Sequence, residues 1–346
     1  MDKFDYAGIE VSMKELLVGV SRNGKDVTTR TFTNTAAGHK QIARHLARKG
    51  RTTRVAIECT GVYSIDLGMA LSSYDGIELM MANPRSVRDY ARALLRRSKN
   101  DKEDTLVLVE YAKNMPFRRY IPPSETALKL RSISRQVNAF INQITQDKNR
   151  LHATLLDSTA SKLVAKTLKK AIRDTEKLVS KLEAAAIELI QSDPELNHKF
   201  ELLITVKGIA ERSGIRILGE LACLPEGLDP RQLTAMAGLD PVVYKSGQSV
   251  NKRRGISKQG ISILREALFM PAFCAITKDK NVRAFYLHLV EKGKLRMVAV
   301  VAVMRKLLHS IWGMFKNNEP FNSAKFYASP ATTFFVENSG FALSEA

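Results

Sequence analysis

Asp5-Tyr6-Ala7-Gly8-Ile9-Glu10-Val11 reads as a short, mostly apolar strand with an acid at its end. Leu16 to Val20 reads as a second strand. Asn23-Gly24 is a hairpin dipeptide, leading to a third strand around Val27 to Phe32. A helix follows, with Thr35 near its cap and Ile42, Ala43 and Leu46 on one face. Arg54-Val55-Ala56-Ile57-Glu58 has a buried-strand pattern and again closes on an acid. The region continues with a helix from about Tyr63 to Ser73 and a strand from Ile77 to Met81. Asn83-Pro84 starts a further helix, and a last one spans about Asp101 to Asn114. The element order is β-β-β-α-β-α-β-α.

That order predicts an α/β domain of the RNase H-like type. Such a fold takes metal-binding carboxylates from its first strand, the end of its fourth strand and the start of its last helix. This sequence has an acid at each place: Glu10, Glu58, and Asp101 with Asp104 three residues on, sharing one helix face. Taken singly, a surface acid is usually a solvated charge. Glu10 and Glu58, however, follow apolar strand residues, where a buried unpaired carboxylate would be costly. Four converging carboxylates would repel one another without a counter-ion, and Mg²⁺ prefers such oxygen ligands. Two ions about 4 Å apart clamp the attacking and leaving oxygens in phosphoryl chemistry. The cations Arg92, Arg96, Arg97, Lys99 and Lys102 surround the aspartates, as a nearby phosphate backbone would require.

The whole composition points the same way. The chain has 346 residues and a formal net charge of +19, which favours a polyanionic partner over a small neutral substrate. An apolar fraction of 45% makes it globular rather than disordered. The longest apolar run, Met297 to Met304, is far short of the ~20 residues a bilayer span needs, and the N-terminus has no signal-peptide pattern. Cys59, Cys223 and Cys274 are widely spaced, and the six histidines show no HxxxH or HExxH spacing. Neither a disulfide framework nor a zinc site is expected, and the setting reads as a reducing cytosol.

Pro122-Pro123-Ser124 marks a boundary, with Ser124 placed to cap a new helix. Leu130, Ile133, Val137, Ile141, Ile144, Leu151 and Leu155 recur at helical spacing. After a break near Asp157 to Ser161, the stripe Leu168, Ile172, Thr175, Val179, Leu182, Ala186, Leu189 alternates by four and three. Two helices of ~28 residues, about 40 Å long, predict an antiparallel hairpin or a coiled coil that also pairs with another protomer. Two ordinary core helices would give a similar pattern. Asp193-Pro194 ends the arm. Leu202 to Ala210 followed by Ser213 to Leu221 looks like a helix–hairpin–helix element, although Ala210 stands where a second glycine is usual. The expected division is 1–120, an RNase H-like (RuvC-like) metal-binding domain; 124–195, a helical coiled-coil hairpin; 198–325, a C-terminal helical domain; and 326–346, a tail.

Asp240-Pro241-Val242-Val243-Tyr244-Lys245-Ser246-Gly247-Gln248-Ser249 reads as a polar, turn-forming stretch between helical segments. Lys252, Arg253, Arg254 and Lys258 follow, before a helix containing Ile263, Leu264, Arg265, Leu268 and Met270. A serine on an exposed turn beside such cations is placed to attack a phosphodiester if its proton is withdrawn. Serine and glycine are also common in plain turns, and Tyr244 is a rival nucleophile. The Arg/His cluster of a tyrosine recombinase is not recognisable around it.

With these motifs in order, the chain resembles the DEDD transposases of bacterial insertion sequences. This is the group of bridge-RNA-guided recombinases related to pilin-gene invertases. The resemblance is carried by Ala7 to Lys14, Ile57-Glu58-Cys59-Thr60-Gly61-Val62-Tyr63, Lys99-Asn100-Asp101-Lys102-Glu103-Asp104 and Val206-Lys207-Gly208-Ile209. To these add Ala235 to Pro241, Tyr244-Lys245-Ser246-Gly247 and Ile256-Ser257-Lys258-Gln259-Gly260.

The resemblance implies that Glu10, Glu58, Asp101 and Asp104 bind Mg²⁺ in a RuvC-like domain. It also implies that Ser246 forms a covalent phosphoserine with DNA. A structured noncoding RNA would pair with double-stranded donor and target DNA, and the half-sites of different protomers would combine in a dimer or tetramer. Arg96, Arg97, Lys99, Lys207, Lys252, Arg253, Arg254, Lys258 and Arg265 are the expected nucleic-acid-binding residues. The protein would be cytoplasmic, in a bacterium and nucleoid-associated, with no membrane partner. Two positions depart from the pattern: Glu10 stands where aspartate is usual, and Cys59 where alanine is. Two other functions fit the same residues: a structure-specific RuvC-like nuclease with a structural serine, and a non-catalytic DNA- or RNA-binding protein.

Overall fold

A computed structural model describes residues 4–59, 61–96, 100–246 and 250–327. The chain divides into two compact units, with the boundary between Pro122 and Pro123. In the first unit, the strands are β1 (Phe4–Val11), β2 (Glu15–Ser21), β3 (Thr28–Thr33), β4 (Thr52–Glu58) and β5 (Ile77–Ala82). They form one mixed sheet in the order β3-β2-β1-β4-β5. β1 and β3 run antiparallel to β2, while β4 runs parallel to β1 and to β5. Short turns make the antiparallel neighbours, and helical crossovers make the parallel ones. The helices are α1 (Ala36–Leu46), α2 (Ile65–Ser72), α3 (Pro84–Ala93) and α4 (Asp101–Asn114). The arrangement is consistent with an RNase H-like domain.

Strand alternation sends side chains to two cores. Ala7, Ile9, Val55, Ile57 and Leu79 face α1 and α2, packing on Ile42, Leu46, Leu67 and Leu71. Tyr6, Ala56, Met80 and Ala82 face α3 and α4, packing on Val87, Leu108, Val109 and Ala112. Gly8 lies on this second face where α4 comes closest. A Cβ there would stand 2.6 Å from Leu108 Cβ, 2.6 Å from the Val109 nitrogen and 2.7 Å from the Thr105 carbonyl oxygen. Only a residue without a side chain lets the helix lie this close to β1.

The second unit is mostly helical. α5 (Glu125–Leu156) and α6 (Lys162–Gln191) are joined by a short turn and pack along each other, with a Lys148–Glu176 ion pair of 2.9 Å between them. Ser124 caps α5 and Ser161 caps α6. α7 (Pro194–Ile204), α8 (Glu211–Leu221), α9 (Pro230–Met236), α10 (Ser262–Lys278), α11 (Lys280–Glu291), α12 (Arg296–Asn317) and α13 (Ser323–Phe326) share a core. α8 is tied to α5 by Arg135, whose Nε and Nη2 donate to the buried Glu220 carboxylate at 2.7 and 2.9 Å. That hydrogen bonding holds the Arg135 guanidinium above its ordinary value.

The stretch expected to be a turn-forming loop is a hairpin instead. β6 (Pro241–Ser246) pairs antiparallel with β7 (Val250–Ile256). Its Pro, Gly and charged residues hide the pattern, but Val242, Val243, Tyr244 and Val250 are good strand formers and the ladder satisfies the backbone. The expected all-helical second half therefore contains a two-stranded sheet. By length and composition, α12 is apolar enough to cross a membrane. Its Val303, Leu307, Leu308 and Ile311 are fully buried in the second unit's core.

Candidate active site

Glu10 and Glu58 owe their placement to strand register. Ile9 pairs with Ile57 across the parallel β1–β4 ladder, so Glu10 and Glu58 are the next residues along adjacent strands. Counting by two from Tyr6 and Ala56 puts both on the face covered by α4. Both are half-buried, and Glu10 Oε2 is shielded from solvent. α4 begins at Asp101, with the Asn100 side chain accepting from the Glu103 nitrogen. Thr105, Leu108 and Ala112 point to the sheet, and Asp101 and Asp104 precede them by one turn on that stripe. Asp101 is exposed and Asp104 half-buried.

The four acids thus occupy one side of one sheet, at the end where β1 and β4 finish. They are all hard oxygen donors, the chemistry a magnesium ion requires. Among the described residues, however, no three His, Cys, Asp or Glu side chains come together closely enough to hold an ion. The elements align the acids without closing them into a ligand cluster.

The expected cations near these acids are partly committed. Arg96 Nη1 pairs with Glu103 Oε2 at 3.1 Å. Glu103 is the helix acid that the four-carboxylate pattern leaves out, and it ties Arg96 to α4. Arg97 and Lys99 lie outside the described residues.

Ser246 ends β6, opposite Val250 in the ladder, and Gly247 to Ser249 lie outside the described residues. Lys252, Arg253 and Arg254 lie on β7, with Lys252 opposite Tyr244 and Arg253 opposite Val243. The base of the hairpin is knitted together from two motifs. The Ser257 nitrogen donates to the Asp240 carbonyl at 2.9 Å, and Ser257 Oγ donates to Asp240 Oδ1. The Lys258 nitrogen donates to the Gly238 carbonyl at 3.1 Å, and the Ile261 nitrogen to the Met236 carbonyl at 2.7 Å. Gly260 has a φ of +144°, and a Cβ there would run into the Met236 carbonyl oxygen.

Arg265 belongs to this base: its Nη1 donates to the Ala237 carbonyl at 2.8 Å. Lys258 is exposed on the turn. Lys207, in the turn between α7 and α8, lies 3.8 Å from the buried Asp279 carboxylate, which also caps α11. Sequence reading missed Asp240, Ser257 and Asp279 as parts of this framework. The first two lie in motifs that were visible, but their pairing across 17 residues was not.

Comparison with known proteins accounts for both regions. A family model described as "Transposase" matches residues 7–160, which include all four acids. A second, "Transposase IS116/IS110/IS902 family", matches residues 200–287, which include Lys207, Ser246 and Arg265. The chain is 29% identical over 299 residues to a pilin gene-inverting protein of Moraxella bovis, covering 84% of this chain and 90% of that protein. It is 28% identical over 299 residues to a pilin gene-inverting protein of Moraxella lacunata, with the same coverage. The chain belongs to the IS110-type family of insertion-sequence transposases and is a DNA recombinase/transposase enzyme.

Proposed function

We propose that the protein moves its element by Mg²⁺-dependent cleavage and exchange of DNA strands through a covalent phosphoserine at Ser246. Glu10, Glu58, Asp101 and Asp104 would hold the metal in a RuvC-like domain. When bound, the metal would supply positive charge against phosphate oxygens and lower the pKa of an attacking hydroxyl or water. The observation that carries the reading is the in-register placement of Glu10 and Glu58 on the sheet face where α4 begins with Asp101. The chain's own steps follow from its chemistry. Ser246 Oγ gives up its proton and attacks a backbone phosphorus, its O–P bond forms, the bond to one strand oxygen breaks, and that oxygen takes up one proton in balance with the one the serine released. The phosphoserine ester conserves the energy of the broken phosphodiester bond, so rejoining needs no ATP, and no GxxxxGK[ST] motif is present in the sequence. The basic β7 residues Lys252, Arg253 and Arg254 would hold the phosphate beside the serine.

We further read the α5–α6 pair as a coiled-coil arm and the α7–α8 turn as a helix–hairpin–helix grip on backbone phosphate. The active species would combine half-sites from different protomers, guided by a structured noncoding RNA that pairs with donor and target DNA. Lys207 fits the grip because its side chain is largely exposed despite its distant pairing with Asp279.

Trapping a protein–DNA adduct tests the serine. Denaturing gels of the wild type should show a covalent band, and Ser246→Ala should lose it. A band that persists would transfer the role to another residue, Tyr244 first. Asp101→Ala with Asp104→Ala should lower strand cleavage by at least about a hundredfold. Intact cleavage in that variant and in EDTA would overturn the metal assignment. A Ser246→Ala protein that still cleaves by hydrolysis would favour the nuclease. Sequencing RNA that co-purifies with the protein tests the guide.

A further inference from the structure

The two arm helices dispose of their charge differently. On α5, Lys129 pairs with Glu125, Arg135 with Glu220, Lys148 with Glu176 and Arg150 with Asp147. On α6, Lys162, Lys166, Lys169, Arg173, Lys177 and Lys181 are all exposed, and none has an ion-pair partner among the described residues. At 3.6 residues per turn these six fall within an arc of about 120°. That arc lies roughly opposite the buried Ile172, Val179 and Ala186. The acids of α6 mostly look elsewhere: Glu176 bonds Lys148 of α5, and Glu183 bonds Arg212 of α8. Asp174 sits at the edge of the arc, and Glu188 lies beyond its end.

Five neighbouring pairs in this row are like charges three or four residues apart, each destabilising the helix by about 0.2–0.5 kcal/mol. A helix carries such a row at a cost unless a polyanion neutralises it. From Lys162 to Lys181 the row runs about 28 Å, or about eight base-pair steps at 3.4 Å each. A row on one helix face runs along the helix axis, so it meets phosphates across a groove rather than following one strand around the duplex.

We propose that the outer face of α6 is a track for the phosphate backbone of a DNA duplex, a surface that uses neither the four acids nor Ser246. This rests on the reading of the chain as a DNA recombinase and adds a binding surface to it. Recognition is electrostatic and blind to base sequence, and the occupant is the duplex DNA on which a recombinase acts, with duplex RNA as the contrasting probe.

The test uses the full chain and the salt dependence of binding. Fluorescence anisotropy gives the dissociation constant for a DNA duplex and an RNA duplex of about 24 base pairs over a salt series. One variant carries Lys166→Gln, Lys169→Gln, Arg173→Gln and Lys177→Gln. A control with equal charge loss carries Lys280→Gln, Lys292→Gln, Lys294→Gln and Arg296→Gln, all at exposed positions. The α6 variant should lower the slope of log K against log salt by about 3 to 4 on DNA, with the control changing it by less than about one.

A fall on DNA supports the track, and a fall confined to RNA overturns it as a DNA surface. An unchanged slope on both, or an equal fall in the control, overturns it. Thermal melting should be unchanged or slightly raised, because the substituted side chains face solvent and their loss relieves like-charge repulsion along the helix. Ser246→Ala should keep the parental slope while losing the adduct, so failure of the track and failure of the serine chemistry are read separately.

Discussion

Glu10 and Glu58 ride on central strands packed on both faces, whereas Ser246 ends a two-stranded hairpin whose anchors, among the described residues, lie at its base. The first site is positioned by side-chain packing: Gly8 admits α4, and α4 carries Asp101 and Asp104. The second is positioned by backbone hydrogen bonds between the Met236–Asp240 and Ser257–Ile261 segments, with Arg265 bracing one end. Packing errors propagate through a core, so the first site should fail through stability. Turn and ladder errors stay local, so the second should fail through activity while the chain remains folded.

The largest effect expected on this contrast comes from Gly8→Ala. The atoms that a Cβ would meet include the Thr105 carbonyl oxygen and the Val109 nitrogen, and backbone cannot swing aside as a flexible side chain can. Separating α4 from β1 should cost about 3 kcal/mol. Urea unfolding of the full chain should show an earlier transition for the first unit, with DNA-strand cleavage lost in parallel. A shift below about 1 kcal/mol would mean that α4 is not held by this contact.

A smaller effect is expected from Arg265→Met, which keeps an apolar stem and removes the hydrogen bond to Ala237. The loss should be about 1–2 kcal/mol, with a several-fold drop in adduct formation and no change in the salt dependence of DNA binding. A lowered salt slope with unchanged adduct formation would instead make Arg265 a phosphate ligand, as its charge alone suggests.

How far the sequence disclosed these regions depends on the range of the interactions. β1, β4 and β5 were legible because alternation and β-branched residues write a strand's faces locally, and Thr35, Asn83 and Ser124 marked helix starts. The element order was legible along the chain, whereas the sheet order came with the structure. The β6–β7 hairpin was not legible, since Pro241 and Gly247 read as turn residues and a ladder leaves no periodic mark in so short a pair. Nothing local to Arg265 discloses that it bonds a carbonyl 28 residues away. Lys207 and Asp279 are farther apart still. Charge is visible in a sequence, but what neutralises it is a matter of three-dimensional proximity.

The smallest effect, and the finest test of the packed site, is Glu10→Asp. The register sets the Glu10 backbone beside Glu58, and both side chains enter the face under α4. Aspartate keeps the charge and draws the carboxylate back by one methylene. If strand packing alone fixes where the carboxylate starts, the shorter side chain should still reach a shared ion. The Mg²⁺ midpoint, read as a metal-induced rise in melting temperature without DNA, should then shift by less than about tenfold, or about 1.4 kcal/mol. Glu10→Gln keeps the length and removes the charge, so it should shift the midpoint far more. Equal shifts in the two variants would mean that Glu10 is not a metal ligand. The outcome separates charge from reach, because the two variants change one property each on a backbone that neighbouring strands hold in place on both sides.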